Sequence, residues 1–176
     1  MAARPVLRMG HPLLRQQSRV LSREEILSAQ TAALLADLKD TMDAEGGIGI
    51  AAPQIGENLQ VTIIELPENS ERYGTLNSSA RFTIFNPIIE VIDETNQGFW
   101  EGCLSVPGLR GYVERPRKVR ITYLDEKAEK QIIEPEGFLA TVFQHELDHL
   151  FGVLYIDRIK DPTMLSFNEE FDEFHT

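Results

Sequence analysis

Cysteine is nearly absent from this sequence. Cys103 is the only one in 176 residues, so no intrachain disulfide can form. Long apolar runs are absent too: none approaches the ~18 residues that a membrane-crossing helix needs. The first residues, MAARPVLRMGHPLL, are basic in places but have no continuous apolar stretch, so no secretory signal is expected. Together these absences point to a reducing, cytoplasmic setting. Positive charge is scarce as well. Against 28 Asp and Glu stand 17 Lys and Arg, a formal net charge of −11. That disfavours non-specific binding to nucleic acid or to an anionic membrane, and no sequence-specific nucleic-acid motif is present. Repeats, low-complexity tracts and linkers are missing, so one domain over 1–176 is expected.

What is present reads as α+β. Ser22-x-x-Glu25 is a capping-box pattern. Leu27, Leu34, Leu35, Leu38 and Met42 then recur at helical spacing, which predicts one N-terminal helix ended by Gly46-Gly47. VTIIEL (61–66), FTIFNPIIEVI (82–92), KVRITYL (118–124) and KQIIEP (130–135) are rich in β-formers, the last two joined as a hairpin. A polar loop is expected at 67–81. A second helix covers roughly 137–151, with Gly152 placed to stop it. The expected fold is a mostly antiparallel sheet packed around that second helix. WEGCLSVPG (100–108), punctuated by Gly and Pro, is expected to be a loop.

The second helix carries QHELDHL. His145 and His149 at i and i+4 share a face and can reach one point, with Glu146 beside them. The flanking Phe138, Leu139, Val142 and Phe143 make the region apolar. Both imidazoles are therefore expected to be partly buried, and buried imidazoles need partners; a metal ion satisfies both. A third ligand is usual. Six residues past His149, where some metalloproteases have a third His, this chain has Tyr155. Cys103, a soft anionic ligand suited to Fe or Zn, is the stronger candidate; Glu169 and Glu170 in the acidic tail are the alternatives. With a downstream acid as ligand the chain would read as a zinc peptidase. A binding protein without activity is the third reading, against which Glu146 argues. GIGIAAPQIG (47–56) adds a small-residue backbone that can lie flat against a ligand, ending on the amide of Gln54.

GIGIAAPQ, EGCLS and QHELDH, in that order, resemble the three signature motifs of peptide deformylases, and the resemblance runs from about Val6 to Ile159. It implies hydrolysis of the N-formyl group from the first methionine of newly made polypeptides, releasing formate. It implies that Cys103, His145 and His149 hold one Fe²⁺, with Zn²⁺ or Ni²⁺ able to substitute, that Glu146 is the general base, and that the Gln54 amide and Leu104 backbone N–H stabilise the oxyanion. It further implies that Gly49 offers backbone groups to an extended peptide. Ile48, Phe99, Phe138 and Val142 are candidates for an apolar slot around the methionine side chain. Glu101 and Asp148 are expected to be salt-bridged, to Arg110 or Arg115. Formylated nascent chains at the ribosome are the expected partners. Some members dock there through a basic C-terminal helix; this tail is acidic, and only RGYVERPRKVR (110–120) offers a basic surface.

Overall fold

The computed structural model describes residues 3–66 and 81–175, so the loop expected at 67–81 lies, except for Arg81, outside the described residues. The N-terminal helix is two helices, not one. Ser22 caps α1 (Arg23–Ile26) with both bonds of the box, Glu25 N–H to Ser22 Oγ at 3.2 Å and Ser22 N–H to Glu25 Oε2 at 2.7 Å. Ser28 then caps α2 (Ala29–Glu45), accepting from Thr31 N–H at 3.2 Å. A serine that can bond the backbone locally starts a new helix there. Leu27, expected on the apolar face, falls at the break and is 54% exposed. Leu34, Leu35, Leu38 and Met42 are buried, and Gly46 ends the helix in the left-handed region.

The strands β1 (Gly49–Ala51), β2 (Val61–Glu65), β3 (Arg81–Cys103), β4 (Val106–Leu124) and β5 (Lys130–Ile133) form one antiparallel sheet in that order, and the short β6 (Leu165–Phe167) pairs with β4. The β4–β5 hairpin is as expected. β3 and β4 are much longer than the expected 82–92 and 118–124. The ladder slips at four points, including Val91/Asp93 and Asp93/Asn96, and each bulge breaks the two-residue alternation that marks a strand. For the same reason WEGCLSVPG is not a loop. Cys103 closes β3, Val106 opens β4, and Leu104-Ser105 is the turn.

Neighbouring sheet residues point to opposite faces. Ile63 and Phe85 pack with α2; Ile64 and Ile84 pack with α3 (Phe138–Leu150). From Leu139 to Leu150 every residue of α3 is buried, so this helix is enclosed all round rather than amphipathic. Truncating its fully buried Phe143 to Ala would cost about 3–5 kcal/mol. Gly152 follows at φ 74°, and a Cβ there would meet the Arg15 backbone at 2.7 Å, so only glycine fits. Among the described residues no helix is long and apolar enough to cross a membrane. The basic stretch presents little free charge: Arg115 is buried, and Arg117, Lys118 and Arg120 pair with Glu136 or Glu134.

Candidate metal centre and active site

Three elements converge. The end of β3 supplies Cys103, α3 supplies His145, Glu146 and His149, and the turn Ala52–Ile55 after β1 supplies Gln54. The ligating atoms of Cys103, His145 and His149 lie within 4.8 Å of one another. Cys103 Sγ is 3.4 Å from His149 Nε2. His145 Nδ1 meets Glu101 Oε2 at 2.8 Å, which leaves its Nε2 for the centre. Glu169 and Glu170 are exposed on α4 (Asn168–Phe174) and do not join this group.

The electrostatics fit a cation. Burial pushes the Cys103 thiol up, but the two imidazoles more than reverse this and hold it well below its ordinary value. Burial alone would strip His145 of its proton; Cys103 and Glu101 instead hold it well above its usual value. The centre therefore keeps positive charge against the pull of desolvation. A thiolate with two imidazoles suits Fe²⁺ and Zn²⁺ alike.

A buried ion-pair network fixes this arrangement. Arg115 donates from Nε to Glu101 Oε1 at 2.7 Å and from Nη1 to Asp148 Oδ2 at 2.7 Å. Arg158 donates from Nε to Asp148 Oδ2 at 2.6 Å. Two acids thus face two guanidinium groups. Burial would raise Glu101, but His145 and Arg115 hold it below its ordinary value. Both carboxylates expected to be bridged are so, by Arg115 rather than Arg110. Removing one partner from such a buried pair strands the others, at about 3–5 kcal/mol. Tyr155, six residues past His149, stacks its ring on His145 at 6.0 Å, and burial raises its hydroxyl.

Glu146 sits on the same helix face, outside the ligand set. Burial raises its pKa most, Cys103 and Glu101 add to that, and the two imidazoles oppose it; the net shift is upward. Its Oε2 is buried without a hydrogen-bond partner. Its carboxylate lies directly on Gly49, where a Cβ would come within 2.6 Å of Oε1 and Cδ. Gln54 is held at both ends: Oε1 accepts from Ala51 N–H at 2.9 Å, and Nε2 donates to Ser105 Oγ at 3.2 Å, 3.7 Å from Cys103 Sγ. Leu104 follows Cys103 at the turn.

The centre opens into a cleft of about 530 Å³ lined by Ile48, Gly49, Gln54, Cys103, Leu104 and Glu146 among others. Beside it a slot of about 170 Å³ is lined by the apolar Ile48, Trp100, Phe138 and Val142 and by the polar Glu101, Arg110, Thr141, His145 and Glu146. Phe99 does not line the slot; it packs edge-on against Phe138 at 5.0 Å. β1 is an edge strand. Because Ile48 O accepts from Glu65 N–H at 2.8 Å, the alternation of the ladder turns the N–H and C=O of Gly49 away from β2, toward the open edge. Sequence reasoning missed Ser105, Trp100 and Thr141. Thr141 was legible, since it lies four residues before His145 and so on the same face.

A helix-borne His-Glu-x-x-His pair meeting a strand-borne thiol inside an α+β fold, beside an open cleft, defines a metal-dependent hydrolase. The polypeptide deformylase family model matches residues 3–164. The chain is 44% identical to a peptide deformylase of Leptospira biflexa over 172 residues, 98% of this chain and 96% of that one. It is 42% identical to peptide deformylase 2 of Ralstonia nicotianae over 166 residues, 94% and 92% of the two chains. Among solved structures it is similar to a class I type b peptide deformylase of Acinetobacter baumannii bound to Met-Ala-Ser, with TM-score 0.81, 34% identity, and coverage of 90% of this chain and 99% of that one. The Thermotoga maritima peptide deformylase gives TM-score 0.79 at 30% identity, covering 92% and 100%. The chain belongs to the peptide deformylase family. It is a metal-dependent hydrolase that removes the N-formyl group from the N-terminal methionine of newly synthesised polypeptides and releases formate.

Proposed function

We propose that the chain, as one domain over 1–176, works through a single Fe²⁺ held by Cys103, His145 and His149, with Zn²⁺ or Ni²⁺ able to substitute. The observation that carries the ligand set is the approach of the three ligand atoms to within 4.8 Å in a pocket that favours a thiolate. The iron reading rests on the family resemblance, since the ligands suit both metals. When bound, the ion supplies Lewis-acid polarisation to the attacking water and the formyl oxygen.

The chain's own residues do the rest. The peptide lies along the free edge of β1, bonded to the Gly49 backbone as an added strand. Its methionine side chain enters the slot between Ile48, Phe138 and Val142, with Phe99 supporting Phe138 from behind. Glu146 takes a proton from the attacking water at Oε2, the oxygen that lacks a partner, and then passes it to the departing amine nitrogen as the C–N bond breaks. The Gln54 Nε2 and the Leu104 N–H donate to the oxygen that gains negative charge. Ala51 and Ser105 fix which end of the Gln54 amide faces that oxygen. The bacterial-type setting is the cytoplasm, and the substrates are formylated chains leaving the ribosome. The test is Glu146→Gln: full metal content with turnover down ~10²–10⁴-fold. Turnover within about tenfold of the parent would end the general-base assignment.

A further inference from the structure

Two residues that line the substrate site are held by an element the chemistry does not use. Trp100 lines the slot, and Arg110 lines both the slot and the larger cleft. The C-terminal segment is built onto them. β6 pairs with β4 at Leu109, Arg110 and Gly111, with Ser166 directly opposite Arg110, and α4 follows at once. Asn168, Phe171 and His175 stand at i, i+3 and i+7, so they share one side of this last stretch. That side meets the site. Asn168 lines the cleft, and the rings of Phe171 and His175 lie 5.1 Å and 4.8 Å from that of Trp100. The guanidinium carbon of Arg110 stands 5.0 Å over the centre of the same Phe171 ring. One half-buried ring thus contacts both Trp100 and Arg110. Phe174 on the same helix is 67% exposed.

Arg110 Nε is buried without a hydrogen-bond partner, whereas Arg115 Nε donates to Glu101. The face of Phe171 is what the fold offers the Arg110 cation instead. A long side chain that lines a site without such a seat must be ordered each time a ligand binds, and that cost is subtracted from affinity. We propose that Phe171 is a positioning residue for substrate binding: acting through Trp100 and Arg110, it holds the wall of the slot in shape before the peptide arrives. This rests on the reading that the slot receives the methionine side chain. Glu146 and both histidines stand on α3, and Gln54 on the turn after β1, so the effect falls on binding and not on the chemical step.

The experiment measures KM and kcat of nickel-loaded protein on formyl-Met-Ala-Ser. Phe171→Ala should raise KM about three- to tenfold, with kcat within about threefold of the parent, as expected when only binding is lost. Phe171→Tyr, which keeps the ring, should hold the parent KM, and so should Phe174→Ala, which removes the exposed ring. Trp100 is the only tryptophan in the chain, so its emission reads the wall directly: it should shift to the red in Phe171→Ala, as Trp100 gains water, and stay in place in Phe171→Tyr. A KM rise below about threefold, a kcat loss beyond about threefold, unshifted emission in Phe171→Ala, or an equal KM rise in Phe171→Tyr or Phe174→Ala each overturns the inference. The slot reading is checked separately by adding the product Met-Ala-Ser to zinc-loaded parent protein. A saturable change in Trp100 emission supports a ligand at this wall and leaves the kinetics to judge Phe171 alone. Unchanged emission at product concentrations that inhibit turnover means the slot is not where methionine goes, and the inference falls with it.

Discussion

Adding one methyl group at Gly49 tests how closely the peptide edge and the base are joined. A Cβ built on Gly49 lies 2.6 Å from the Oε1 and Cδ of Glu146 and 2.8 Å from its Cγ, while ordinary contact begins at 3.4 Å. The carboxylate must therefore retreat by about 0.8 Å. It has little freedom to do so elsewhere, since Glu146 is 6% exposed on a helix buried all round. A misplacement of ~1 Å at the reacting centre costs ~10²-fold in rate, so Gly49→Ala should lower kcat by about 10- to 100-fold. The N–H and C=O of residue 49 are unchanged by the substitution, and the metal ligands are not touched. KM should accordingly move less than kcat, and metal content should stay at one ion per chain. Steady-state kinetics on formyl-Met-Ala-Ser, with metal analysis of the same preparations, gives all three quantities. A kcat within about threefold of the parent would show that Glu146 does not act from the position it holds against Gly49.

Two further outcomes follow from the thiol. Cys103→Ala should lose metal on dialysis against a chelator as well as losing activity, because among the described residues Cys103 is the one that completes a three-ligand group with the two imidazoles; full retention of metal would place the third ligand elsewhere. In metal-free protein the Cys103 thiolate should form well below the ordinary cysteine value, since His149 and His145 outweigh the effect of burial. With one cysteine in the chain, thiolate absorbance reads this group alone, rising with pH through the lowered midpoint; a midpoint at or above the ordinary value would contradict the account.

The chemistry of this chain was more legible in the sequence than its strands. His145, Glu146 and His149 declare themselves because the α-helix converts a spacing of four into one face. Cys103 cannot be joined to them by any local rule. Its partners are 42 and 46 residues away, and only the pairing of β3 with β4, and the packing of both on α3, closes that distance. The break at Ser28 is masked in the sequence by the apolar periodicity that runs through Leu27. The full length of β3 and β4 is hidden in the sequence because bulges at Val91/Asp93 and Asp93/Asn96 reset the alternation. Arg115 is the hardest case. In the sequence it is one of several basic residues in RGYVERPRKVR, but in the fold it is 1% exposed and ties Glu101 to Asp148. Nothing local distinguishes it from Arg117, which stays at the surface beside Glu136.

The measurement closest to the central claim is formate release from formyl-Met-Ala-Ser by protein loaded with Fe²⁺ under nitrogen. The account predicts formate and Met-Ala-Ser in equal amounts. Activity should vanish with the metal on chelation and return with one Fe²⁺ or Ni²⁺ per chain. It should decay in air for the iron form while the nickel form holds, because oxygen oxidises Fe²⁺ and the lone Cys103 has no second cysteine to trap it as a disulfide. Undiminished formate release from protein stripped of all metal would contradict it.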